Sequence, residues 1–223
     1  MTALLHRALL LALLSTPVFA GSAVAGPATP AQDMGVSATA QKPTPADFGK
    51  DMRKLWEDHI TYTRNYIISA LAGLPDATTV ATRLLANQDD IGDAIAPFYG
   101  EAAGDALAAL LRAHIVIATE VVDAAQSGDA EALADAQARW RANATDIAAF
   151  LASANPNWSQ AELDAALQRH LVLTTGEVVA RLQQDWAADI ASYDEGHEHM
   201  LMFADTLTDG IVAQFPSRFR GAR

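Results

Sequence analysis

His59-Ile-Thr-Tyr-Thr-Arg-Asn-Tyr-Ile67, His114-Ile-Val-Ile-Ala-Thr-Glu-Val-Val122 and His170-Leu-Val-Leu-Thr-Thr-Gly-Glu-Val178 are three versions of one stretch, with His-to-His steps of 55 and 56 residues. Each opens on a histidine and continues with apolar residues at the spacing of one face of a helix. A second block repeats as well. Ala86-Asn-Gln-Asp-Asp-Ile91 matches Ala142-Asn-Ala-Thr-Asp-Ile147 at a step of 56, with a looser copy in Ala204-Asp-Thr-Leu-Thr-Asp-Gly-Ile211. A period of this length, split into two helical blocks, reads as three degenerate αα-hairpins. The fold expected is therefore all-α: an antiparallel bundle of about six helices.

Punctuation supports that division. The prolines after residue 46 (Pro75, Pro97, Pro156 and Pro216) stand where helical patterns should start or stop. The helices expected are 46–72, 77–97, 101–126, 130–152, 160–191 and 195–213, with Ser159-x-x-Glu162 a capping box opening the fifth. Gly73-Leu-Pro-Asp76, Ser127-Gly-Asp129 and Asn155-Pro-Asn157 are turn chemistry. No strong breaker separates the last two helices before Asp194-Glu-Gly196, so that turn is expected between 185 and 196. In an antiparallel hairpin, residues equidistant from the turn lie at one level. The midpoint of His59 and Asn87 is 73, and that of His114 and Asn143 is 128.5, both on expected turns. Each of those histidines should face its asparagine. The third pair, His170 and Asp205, has its midpoint at 187.5, where no breaker stands, so the third hairpin should be longer, offset or differently packed.

Outside the repeats the chain reads as address, tether and tail. Residues 1–25 carry Arg7, the apolar run Ala8–Leu14 and small residues with cleavage points after Ala20 or Ala25. That is the secretory pattern, with an apolar run well short of the ~20 residues that span a bilayer. A periplasmic or secreted protein with no stable membrane insertion after cleavage is expected. Residues 26–45, with Pro27, Pro30, Pro43 and Pro45 among small and polar residues, read as a flexible linker. Residues 46–216 form the bundle, and 217–223 a basic tail with Arg218, Arg220 and Arg223.

Composition excludes several functions. With 15 Lys+Arg against 27 Asp+Glu, the formal charge is -12, or -13 once Arg7 is removed with the signal. Such a chain has no basic surplus for a nucleic-acid backbone. The absence of cysteine excludes disulfides, thiolate metal sites and lipidation at a lipobox. Nucleophile-elbow, Walker, dinucleotide and His-Glu-x-x-His motifs are not found, and catalysis is not the expected role.

Two clusters carry what chemistry there is. His59, His114 and His170 stand on apolar faces opposite Asn87, Asn143 and Asp205, with Asp90 and Asp146 on the same partner faces. They form an expected half-buried His/Asn/Asp layer. Imidazoles and carboxylates converging in a bundle can hold Zn, Cu, Fe or Mn. The carboxylate-bridged di-iron pattern does not apply, because the chain has no Glu-x-x-His. The second cluster is His197, His199, Met200 and Met202, where imidazole and thioether without thiolate suit copper. The four tryptophans are spread over separate segments and read as core and helix-end anchors. The function expected is an exported bundle binding a ligand or partner, most concretely a metal in the layer. The alternative is a structural or partner-binding module with neither metal nor catalysis.

The blocks Trp56–Arg64, Arg83–Gly92, Pro97–Gly100, Asn155–Trp158 and Gly210–Pro216 resemble those of a family of small bacterial helical proteins of uncharacterised function. The resemblance covers about 55–216. It implies one helical domain and transfers no site residue.

Overall fold

The computed structural model describes residues 42–221, so the expected signal peptide, the linker up to residue 41 and the last two residues lie outside the described part. Six helices follow in order: α1 Pro45–Leu71, α2 Ala77–Tyr99, α3 Glu101–Ser127, α4 Ala130–Ala154, α5 Gln160–Leu182 and α6 Trp186–Gln214, then a 3-10 turn at Pro216–Arg218. The described residues contain no strand. Each helix packs on its chain neighbours, α6 closes back onto α1, and α1, α3 and α5 also meet one another along the centre. The bundle is a closed ring of three hairpins. The first helix of each hairpin faces the middle.

The repeat is visible in the core. Met52, Leu107 and Leu163 are buried, as are Trp56, Leu111 and Leu167, and then Ile67, Val122 and Val178. Each triplet is spaced by the same 55 and 56 residues as the histidines. On the outer helices Ile91, Ile147 and Phe203 are likewise buried, at steps of 56. A single apolar stripe per helix, copied three times, produces stacked layers across the ring.

Helix starts are fixed by side-chain caps. Thr44 accepts from the Asp47 amide with Pro45 at the first position, and Asp129, Ser159 and Asp185 cap α4, α5 and α6 in the same way. The three hairpin turns share one hydrogen-bond pattern. Leu74 N–H donates to Ser69 O, Asp129 N–H to Ala124 O, and Asp185 N–H to Ala180 O, closing three Schellman turns. Their left-handed residues are Gly73 (φ 64°), Gly128 (φ 73°) and Gln184 (φ 59°).

The third turn corrects the sequence reading. It lies at 183–185 rather than within 185–196, and α5 ends nine residues earlier than expected, at Leu182. A glutamine holds the position that glycine holds in the other turns, so no breaker marks it. The apparent breaker Gly196 sits inside α6, where a Cβ would be 3.7 Å from that of Leu173. Two smaller corrections follow. The α2 helix runs through Pro97 to Tyr99, because a proline in the last turn forfeits only one intrahelical bond there, and Gly100 (φ 91°) ends the helix. The domain also extends past 216. Phe219 is buried against Phe48 and Phe98, and Arg220 N–H donates to Pro43 O at 2.9 Å, so the tail is part of the packed end.

Candidate functional site

The three histidines converge. His170 stands between the other two, its ring centroid 5.6 Å from His59 and 5.9 Å from His114, and all three side chains are buried. They come from matched positions of α1, α3 and α5, which is why they meet at one level.

Hydrogen bonds fix which nitrogen carries each proton. At His114, the Trp140 indole N–H donates to Nε2 at 3.1 Å. Nδ1 must therefore bear the hydrogen, and it donates to Asn143 Oδ1 at 2.8 Å. Asn143 Nδ2 passes on to the Leu110 carbonyl at 3.1 Å. At His59, Gln88 spends its amide hydrogens on the Leu84 carbonyl (2.7 Å) and Asn87 Oδ1 (3.1 Å). Its Oε1 then accepts from His59 Nδ1 at 3.3 Å, while Asn87 Nδ2 donates to the Leu55 carbonyl at 3.0 Å. At His170 the Thr174 hydroxyl donates to the His170 carbonyl at 3.0 Å and its lone pair faces Nδ1 at 3.5 Å. His59 and His114 are thus Nδ1–H tautomers, and the longer Thr174 contact favours the same form at His170.

Burial keeps them neutral. Loss of hydration pushes His59 down to about 4 and His114 to about 3, the latter also through repulsion from His59. His170 lies well below the ordinary imidazole value, first by burial and then through His59, His114 and His199 around it.

The layer differs from the expected one in its partners. Asn87 and Asn143 are buried within it, but Asp205 is not: it is half-buried and gripped by Arg53 across the α1–α6 surface at 2.6–2.7 Å. Asp90 and Asp146 are exposed. The real third counterpart of Asn87 and Asn143 is His199, at an unbroken step of 56, and its Nε2 donates to the Ala166 carbonyl at 2.8 Å. Leu55, Leu110 and Ala166, the three accepting carbonyls, all lie four residues before a core histidine. The signal was available as that 56-residue step, but the looser Ala204–Ile211 match drew the alignment six residues away. Gln88 and Trp140 were missed because their polar role appears only across the helix interface.

The second cluster does not assemble. His197 lies 3.4 Å from Glu57 on the α1 side, Met200 is buried in the core, and only His199 and Met202 share a groove, between α5 and α6. Among the described residues no group of three or more His, Cys, Asp or Glu side chains is placed to hold a metal ion.

A further charged cluster went unread in the sequence. Arg64 grips Asp189 through both terminal nitrogens (3.0 and 3.1 Å) and Glu177 at 2.7 Å, Arg181 reaches Asp189 at 2.7 Å, and Arg64 lies over the Tyr193 ring. Glu177 occupies the position of Tyr66 and Val121 in the other repeats. Burial raises it to about 7, against the pull of Arg64. With two cations matched to two carboxylates, this cluster reads as an internal tie between α1, α5 and α6.

No family model, curated protein or solved structure matches the chain.

Proposed function

We propose that the chain is an exported, non-catalytic helical module that works by binding through its outer surface, and that its central His/Asn/Gln/Trp layer sets the register of the three hairpins. One observation carries the reading of the layer: both ring nitrogens of His114 are already engaged, by Trp140 and Asn143. A buried polar group left without a partner costs about 1–3 kcal/mol, so a slipped register that separates His114 from Trp140 and Asn143 is penalised. The export part rests on the basic start, short apolar run and small-residue cleavage points of residues 1–25.

A second reading, an ion on the layer, draws on the convergence itself. Three imidazoles, each with a side-chain oxygen facing Nδ1, resemble histidines prepared to ligate through Nε2. It requires His114 to leave Trp140. The Trp140→Phe variant separates the two. If the layer is structural, this variant loses about 1–3 kcal/mol of stability in urea unfolding and gains no metal. If the layer ligates, freeing Nε2 of His114 strengthens Zn or Cu uptake, and plasma mass spectrometry finds the ion lost in His114→Ala.

A further inference from the structure

The third hairpin departs from the other two at three positions that fall in one place. Where the first two repeats hold Asn87 and Asn143, the third holds His199; for Asp90 and Asp146 it has Met202; for Leu55 and Leu110 it has Ala166. All three line a groove of about 300 Å³ between α5 and α6, together with Glu162, Leu163 and Phe203. Shortening Leu to Ala removes side-chain volume from the α5 side of that groove.

The histidine does more than the asparagine it replaces. Its Nε2 donates to the Ala166 carbonyl at 2.8 Å, as Asn87 and Asn143 donate to theirs. A carbonyl only accepts, so Nε2 carries the hydrogen and Nδ1 keeps its lone pair, in a ring that lines the groove. A backbone carbonyl fixing the tautomer in this way is the usual support of a metal-ligating histidine. The exchange also takes from His170 the α6 amide that His114 receives from α4, leaving it the longer 3.5 Å contact to Thr174. The core alone gives no reason for histidine here.

The methionine has no packing reason either. Met202 is 54 % exposed, three residues from His199 and on the same helix face. Because α5 and α6 are antiparallel with His199 opposite Ala166, Met202 stands level with Leu163, beside Glu162. An imidazole and a thioether three residues apart on one helix face, lining one groove with apolar Leu163 and Phe203, are the donor types that suit a soft ion of low coordination number.

We infer that the α5–α6 groove binds a monovalent soft metal ion, Cu(I), through His199 Nδ1 and Met202 Sδ, with the Glu162 carboxylate supplying compensating charge. The inference does not require an ion on the central layer, since His199 Nδ1 and Met202 take no part in the hydrogen bonds of His59 and His114.

Anaerobic Cu(I) competition against a chromogenic cuprous chelator tests it on the purified protein, with Ag(I) as a redox-inert second probe. The expected result is one ion per chain, with both nitrogen and sulfur neighbours in X-ray absorption. His199→Asn restores the residue of the other repeats and keeps the donor to Ala166 O, so folding persists. It should weaken Cu(I) by about tenfold or more, as should Met202→Leu, while His197→Ala binds as the parent does. Failure of the parent to compete for Cu(I), or parental affinity in His199→Asn, overturns the site. So does an ion that survives His199→Asn and is lost in His114→Ala, which would move it to the central layer.

Discussion

A buried imidazole makes folding compete with protonation. In the unfolded chain each of the three histidines takes up a proton below its ordinary value of 6.5, while in the bundle His59 resists until about 4 and His114 until about 3. Their contribution is therefore fully present above 6.5 and is lost as pH falls toward the folded values. Between pH 7 and pH 5 that is about 2 kcal/mol for His59 and about the same for His114, and His170 acts in the same direction. Glu177 acts in the opposite sense. Its folded value is raised to about 7 from 4.5, so its contribution is present below 4.5 and fades as pH rises through 7. Going from pH 7 to pH 5 it returns about 2 kcal/mol. Urea unfolding at the two pH values should show a net loss at pH 5. Glu177→Gln should steepen that loss by about 2 kcal/mol, because it removes only the opposing group. An unchanged slope would mean that Arg64 keeps Glu177 ionised throughout this range.

Helices and turns were legible where the chain punctuates itself and illegible where it does not. Gly73 and Gly128 announce their turns. Gln184 adopts the same left-handed backbone and the same two hydrogen bonds without any compositional mark, so the reading ran on to Gly196. That displaced α6 and left unchecked the looser Ala204–Ile211 match, which paired His170 with Asp205 instead of with the position of His199. The physical difference is a Cβ: a side chain in the left-handed region costs about 1 kcal/mol more than glycine does. Gln184→Gly should accordingly raise stability by up to about 1 kcal/mol, and Gly128→Ala should lower it by a similar amount. Urea midpoints at pH 7 check both. If Gln184→Gly destabilises, the glutamine side chain is making a contact that outweighs the backbone cost.

At the scale of the molecule, the repeat foresaw the three hairpins and a layer built on the three histidines, because a residue's period survives even when its neighbours drift. It did not foresee the ring. Closure is a property of the ends, where Phe219 and Phe98 stack and Phe48 packs against both, and where Arg220 N–H and Lys42 Nζ tie residues 217–220 to 42–43. The tie makes the α6–α1 seam resemble the seams between covalently joined hairpins, and places residues 42 and 221 at one end of the bundle. In a ring in which every helix packs on both of its neighbours, the choice of which connection is left open is then close to arbitrary. Joining 221 to 42 through a short Gly/Ser linker and opening the chain at Gly128–Asp129 should give a permutant with native helicity by circular dichroism and one cooperative urea transition. Its stability should fall by about 1–2 kcal/mol, chiefly from the lost Asp129 cap and Schellman turn. A permutant that collapses without a cooperative transition would show that the ends do more than close the ring: that the Phe48–Phe98–Phe219 cluster must form from free ends before the three hairpins can find their common histidine layer.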